Sequence, residues 1–133
     1  MHWSEQTYQN VFKSAGAERI LWVIEDGNEL QAFLVARFSP AECELENLVV
    51  TESQRRRGLG SELIGWLIAT AYGRNLERIL LEVRESNRAA RALYGKLGFQ
   101  ENGKRKAYYN QPKEDAILLA LRLNCTPAGA PNR

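Results

Sequence analysis

The spacing of apolar residues changes period several times along the chain, and each change marks an element. "RILWVIE" (19–25) is β-branched and aromatic-rich and reads as a strand; "DGN" (26–28) is a strong hairpin turn, and "ELQAFLVARFS" (29–39) is the return strand, ended by Pro40. "CELENLVV" (43–50) is a third strand. Leu59, Leu63, Trp66, Leu67 and Thr70 then recur at helical spacing, with Ile64, Ile68 and Ala71 widening the face, which predicts a helix over 59–73. "ERILLEV" (77–83) reads as a buried strand. "SNRAARALYGKLGF" (86–99) reads as a capped helix with Ala90, Leu93, Tyr94 and Leu97 inward and Gly98 ending it in the left-handed conformation. Two strands near 99–106 and 115–123 flank a "YYNQP" loop. At the front, "WSEQTYQNVFKS" (3–14) reads as a short helix capped by Ser4, with Thr7, Tyr8, Val11 and Phe12 on one side. The order is α-β-β-β-α-β-α-β-β, an α/β protein with a mixed sheet and no internal repeat. The tail "CTPAGAPNR" (125–133) is rich in Pro, Gly and Ala and is expected to be flexible, leaving residues 1–124 as one domain.

Composition narrows the classes. A chain of 133 residues with 44% hydrophobic and 26% charged residues supports one compact core. Eighteen basic against sixteen acidic side chains leave a net charge of +2, without the strong positive field of a dedicated nucleic-acid binder. No apolar stretch approaches the roughly 18–20 residues needed to span a bilayer. "MHWSEQTYQN" has neither a basic leader nor an apolar core, so a cytoplasmic protein without a membrane partner is expected. Cys43 and Cys125 are far apart and unpaired by motif, the pattern of free thiols in a reducing compartment. His2 is the only histidine, and no metal site is expected.

The stretch "ESQRRRGLGSEL" (52–63) carries candidate chemistry. It is not a P-loop, because no lysine follows Gly60. It imitates a dinucleotide fingerprint, with Gly58 and Gly60 between strand and helix and Glu82 further on, but Leu63 stands at the third glycine and the loop is too long. A third possibility is a pyrophosphate cradle: glycines that let the backbone approach, a helix N-terminus and flanking arginines. A solvated loop turned by its glycines fits the same residues, and composition does not separate the two. RNA binding is disfavoured, because the arginines have no aromatic stacking platform beside them.

Three blocks go further. "RRRGLG", following a strand that ends "NLVV", is similar to the [Q/R]xxGx[G/A] signature of the GNAT acetyltransferases. "LEVRESNRAARALYGKLGF" and "AYYNQPKEDAILLALRL" resemble the bacterial ribosomal-protein alanine N-acetyltransferases of that superfamily (the RimI type), and the similarity runs from about Trp3 to Leu123. The resemblance implies the GNAT fold, a mixed central sheet with splayed parallel strands flanked by helices, and acetyl-CoA as cosubstrate in the gap. By the same resemblance the backbone of Leu48, Val49 and Val50 pairs with the pantetheine arm, and an amide there polarises the thioester carbonyl. Arg55, Arg56, Arg57, Gly58, Leu59, Gly60 and Ser61 hold the pyrophosphate, and Asn87 both caps its helix and touches the cofactor.

The resemblance also places a general base at Glu82 and a general acid at Tyr94. An ammonium cannot attack a thioester until a carboxylate removes its proton, and the leaving thiolate needs a proton that a phenol can give. Read without the resemblance, Glu82 is a salt-bridge or edge residue and Tyr94 a core residue. Glu44 and Glu46 are the rival bases, with Glu46 also facing the acceptor. Tyr108 and Tyr109 line the acceptor groove, aided by Arg105 or Lys106. An α-amine titrates near 8 against about 10.4 for lysine, which favours a protein N-terminus as acceptor.

The expected function is transfer of acetyl to the N-terminal amine of a protein, a ribosomal protein starting with alanine, in a ternary complex. The competing expectations are acetylation of a small-molecule amine and a non-catalytic acyl-CoA-binding module. Members of the family usually have a strand and a helix ahead of the equivalent of "WSEQTY". Their absence is expected to leave residues 19–25 as an exposed edge that a second subunit of a homodimer could cover.

Overall fold

The structure, a computed structural model, describes residues 5–14, 16–55 and 57–123. Strands β1 (Glu5–Ser14), β2 (Ala17–Asp26), β3 (Glu29–Phe38) and β4 (Glu42–Val50) come first. A single 3₁₀ turn (Glu52–Gln54) leads to helix α1 (Leu59–Gly73), then β5 (Arg78–Arg84), α2 (Arg88–Lys96), β6 (Gln100–Asn110) and β7 (Lys113–Arg122). The strands form one sheet in the order β1-β2-β3-β4-β5-β7-β6. Among the described residues β4 and β5 make the only parallel pair.

Alternation along the strands decides where the core sits. Ile20, Trp22 and Ile24 of β2, Leu34 and Ala36 of β3, and Ile79 and Leu81 of β5 are buried in one cluster with Leu63, Ile64 and Leu67 of α1 and with Tyr94 of α2. Both helices therefore cover the same face of the sheet. The opposite face carries Arg19, Leu21, Phe33, Val35, Arg37, Leu80, Glu82 and Arg84, and no described helix lies on it. The β2–β3 hairpin turns on Gly27 and Asn28, with Gly27 at φ +65°, as "DGN" predicts. Helix α1 spans the expected 59–73. Helix α2 is capped by Asn87, whose side chain accepts from the Ala90 N–H at 3.1 Å, and Gly98 follows it at φ +102°.

Three expectations are corrected. Residues 5–14 form a strand, not a helix, pairing with β2 from Glu5↔Asp26 to Ser14↔Ala17. The three- and four-residue spacing of Thr7, Tyr8, Val11 and Phe12 imitates a helix face, but these are good strand formers, and the outer edge of β2 offers a row of backbone groups in need of partners. Successive side chains of β1 point to opposite faces: the Thr7 hydroxyl donates to Glu62 of α1, and the Tyr8 hydroxyl donates to Glu25. The expected cap, Ser4, lies outside the described residues. Consequently residues 19–25 are not an exposed edge; β1 covers them, which removes the reason for placing a partner subunit there. Finally, Tyr108, Tyr109 and Asn110 belong to β6 rather than to a loop, and the turn is Gln111-Pro112. Lys106, Ala107 and Tyr108 bulge out opposite Asp115, whose carboxylate accepts the Ala107 N–H at 2.7 Å while Ala107 sits at φ +52°. The expected flexible tail, 125–133, lies outside the described residues.

Leu67 is fully buried between α1 and the sheet. Leu67→Ala is expected to lower the unfolding free energy by about 3 kcal/mol, read as a reduced urea midpoint with an unchanged slope.

Candidate active site at the parting of two strands

The parallel ladder between β4 and β5 is short: it runs from Glu42↔Arg78 to Glu44↔Leu80 and stops. Both strands continue, β4 along β3 as far as Val50 and β5 along β7 as far as Arg84. The break follows from a bulge in β4. Val35 pairs with Asn47 and Ala36 with Leu45, so Glu46 is an extra residue. A bulge bends its strand and increases the local twist. It also shifts the alternation, so that Leu48 and Val50, opposite Leu34 and Ala32, pack against the core. Past Glu44 the β5-facing edge of β4 has no partner strand, and its N–H and C=O groups open into the gap.

A groove of about 980 Å³ occupies this gap. At one end lies the start of α1. Gly58 takes φ +78°, a conformation that L side chains rarely adopt, and the first helical bond is from Glu62 N–H to Gly58 C=O at 3.0 Å. The N–H groups of Leu59, Gly60 and Ser61 thus lie ahead of the helical ladder, and the N-cap glycine has no side chain to satisfy them. Arg55 lines the same end, its Nε donating to the Val50 carbonyl at 3.5 Å. The α2 N-terminus, at Asn87, faces the same groove, so two helix dipoles put their positive ends there.

Of the predicted site residues, Glu46, Leu48, Val49, Val50, Arg55, Gly58, Leu59, Gly60, Ser61, Glu82, Asn87, Tyr94 and Tyr109 all line this one groove. Arg57 does not; its guanidinium donates to the Gln54 side chain. Tyr108 stands outside, edge-on to Tyr109 (5.1 Å between ring centroids), with the Arg105 guanidinium 5.0 Å from its ring. Arg56 lies outside the described residues. Lys106 is exposed within the β6 bulge.

Glu82 and Tyr94 approach from opposite faces. Glu82 is on the helix-free face of β5, its Oε2 3.2 Å from Arg105 Nε. Tyr94 comes from α2 on the core face, buried against Phe99 at 5.6 Å, and burial pushes its phenol up to about 12. The rival carboxylates are more fully engaged. Arg19 grips Glu46 with two hydrogen bonds, 2.7 and 3.1 Å, and Arg37 adds a contact at 3.5 Å. Glu44 is paired with Arg37 and does not line the groove. Burial, and then the charge of Glu82, raise the Tyr109 phenol.

Sequence reasoning missed Arg84, Asn47 and Leu93 in the lining. Arg84 was legible in one respect, since it lies two residues beyond Glu82 on one strand and must share its face. Leu93 could be found only from the fold, where it comes within 3.4 Å of the position a Cβ on Gly60 would take. Among the described residues, no group of three or more His, Cys, Asp or Glu side chains is placed to hold a metal ion, and no helix is long and apolar enough to cross a membrane.

A sheet parted between two parallel strands, with a glycine-turned helix N-terminus at the mouth of the gap and a carboxylate and a phenol on its two walls, defines an acyltransferase that uses an extended, phosphate-bearing donor. The chain belongs to the acetyltransferase (GNAT) family, whose profile matches residues 1–99, and it is an N-acetyltransferase. It is 38% identical over 125 residues to [ribosomal protein bS18]-alanine N-acetyltransferase of Escherichia coli (strain K12), covering 92% of this chain and 82% of that protein. The crystal structure of the ribosomal-protein-S18-alanine N-acetyltransferase from Escherichia coli superposes with a TM-score of 0.75 at 34% identity, covering 84% of this chain and 72% of that one. Arabidopsis thaliana NAA60 in complex with acetyl-CoA shares the fold, with a TM-score of 0.73 at 20% identity over 80% of this chain and 77% of that one.

Because the Tyr94 phenol titrates at about 12 in the folded chain against an ordinary 10.0, the folded state holds its proton more tightly than the unfolded state. That contribution to stability is complete below about pH 10 and is lost as pH rises through 12, a change of about 3 kcal/mol. Tyr94→Phe is expected to remove this component, seen by comparing urea midpoints of the two proteins between pH 9 and pH 12.

Proposed function

We propose that the chain transfers the acetyl group of acetyl-CoA to the N-terminal α-amine of a protein in the cytoplasm, a ribosomal protein beginning with alanine, by direct attack in a ternary complex. The observation that carries this reading is the placement of Glu82 and Tyr94 on opposite faces of one gap that also exposes the unpaired edge of β4. The activity of the Escherichia coli relative supports it.

The groove suits the donor at each point. Unpaired N–H groups of Leu59, Gly60 and Ser61, with Arg55 beside them, match a pyrophosphate. The free edge of β4 at Leu48–Val50 matches the amides of a pantetheine arm, which would pair with it as a strand does. Acetyl-CoA supplies an activated acetyl group and a thiolate leaving group. Glu82 removes a proton from the acceptor ammonium, which enters over the helix-free face. A β4 N–H stabilises the oxyanion that forms on the carbonyl carbon's oxygen. Tyr94, protonated at neutral pH, gives its proton to the departing sulfur. Glu82 is favoured over Glu46 as the base because one exposed arginine restrains it, whereas Glu46 is held by a two-pronged pair.

Release of free CoA with peptides starting in Ala, Ser, Gly or acetyl-Ala tests the acceptor. Turnover is expected with free N-terminal Ala and none with its acetylated twin; turnover that ignores the peptide sequence would point to a small-amine enzyme. Glu82→Gln and Tyr94→Phe are each expected to lower kcat by about 10²–10⁴-fold. Acetyl-CoA affinity should stay within roughly twofold, and full activity in either variant would remove that residue from the mechanism.

A further inference from the structure

The tip of the β6–β7 hairpin is poorly held by the sheet. Beyond the bulge at Lys106–Tyr108, β6 keeps only the pairs Tyr109↔Glu114 and Asn110↔Lys113, and β6 is the last strand of the sheet. On the other side, β7 stops pairing with β5 at Arg84↔Ala116. Residues 109–114 therefore overhang, yet they carry Tyr109, which lines the groove beside Glu82.

One side chain closes this overhang. The Arg84 guanidinium donates to the Glu114 carboxylate at 3.1 Å and to the turn carbonyls of Pro112 and Gln111 at 3.2 and 3.4 Å. Its carbon lies 4.2 Å from the centre of the Tyr109 ring. The other oxygen of Glu114 accepts the Ser86 N–H in the turn that leads to α2, and the Glu85 N–H donates to the Asp115 carbonyl at 3.1 Å. Hydrogen bonds from Ser86, above all, hold the Glu114 carboxyl below the usual carboxylate range, with Arg84 adding to the effect, so it stays charged as the anchor's counter-ion. Three acceptors arranged around a planar fork suit arginine; a lysine in its place could meet one of them well.

We infer that Arg84 is a positioning residue for the acceptor: it fixes the hairpin tip so that Tyr109 forms the groove wall beside Glu82. The inference rests on the acceptor reading given above. It is selective, because the α1 N-terminus and the free edge of β4 make none of these contacts, and the turn ahead of Asn87 is bonded by Glu114 and not by the Arg84 guanidinium. Arg84→Met is expected to raise KM for an N-terminal Ala peptide roughly tenfold, with kcat at saturation and KM for acetyl-CoA within about twofold. Arg84→Lys should recover only part of the loss.

Tyr109→Leu should raise the same KM, and the double variant with Arg84→Met should be no worse than the poorer single one, because Arg84 acts through Tyr109. Additive losses would overturn the inference. Hydrogen exchange tests the anchor without an acceptor: in Arg84→Met the amides of residues 107–111 and 113 should exchange about tenfold faster, while β4 and α1 are unchanged. Unaltered exchange at the tip overturns the inference whatever the kinetics. A wild-type enzyme inactive on every peptide, with a tip that still loosens in the variant, overturns the acceptor reading and leaves the anchor standing. Should Arg84→Met fail to fold, Arg84→Lys and Glu114→Gln carry both measurements.

Discussion

The end of the β4–β5 ladder at Glu44↔Leu80 is the constraint on which the rest of the site depends. A continuous sheet would satisfy the backbone of Leu45–Val50 internally and leave no room between the strands. Because the extra residue Glu46 bends β4 away, the groups on its β5-facing edge open into a groove instead. Groups in open water are not costly, but excluding the water without replacing its hydrogen bonds costs about 1–3 kcal/mol for each group left unsatisfied. A ligand that brings its own amides meets that requirement, and a purely apolar one does not. Selection among ligands is thus built into the backbone before any side chain is considered.

The same parting separates the two faces of the sheet by function. Both helices lie on one face and bring positive dipole ends to the groove from that side, and the uncapped α1 N-terminus adds unpaired N–H groups. The other face holds arginine–glutamate pairs: Arg19 with Glu46, Arg37 with Glu44, Arg105 with Glu82 and Arg84 with Glu114. Exposed pairs of this kind stabilise the fold by little, about 0–1 kcal/mol each. Their greater effect is on availability. Carboxylates held by a fork of two hydrogen bonds are poorly placed to receive a proton, and Glu82 is the groove-lining member with the weakest restraint. Tyr94 differs from these carboxylates in being buried, and burial pushes its phenol up to about 12.

Much of this was legible in the residues themselves, and the misreadings share one cause. The Gly27–Asn28 hairpin, the α1 start after Gly58, the Asn87 cap and the positive φ at Gly98 are local matters, decided by residues a few positions apart. The motif residues drawn from the GNAT resemblance converge on one groove, apart from Arg57 and Tyr108, which are turned elsewhere, and Arg56, which is not described. Residues 5–14 were misread because Thr7, Tyr8, Val11 and Phe12 satisfy a helical spacing by chance, and only the vacant edge of β2 decides between helix and strand. The tyrosines of "YYNQP" were misread as loop because a bulge capped by Asp115 conceals the continuation of β6.

By itself the sequence determined the class of fold, the family, the glycine turn that opens α1 and the kinds of side chain available for proton transfer, since these follow from short-range spacing and motif. Only the tertiary structure decided where along the chain β4 parts from β5, that Glu82 and Tyr94 line that parting from opposite faces, and that the Arg84 guanidinium holds the hairpin bearing Tyr109. The physical reason is that bulges and register are set by the partner strand, often far away in sequence, and one extra residue redirects every side chain beyond it.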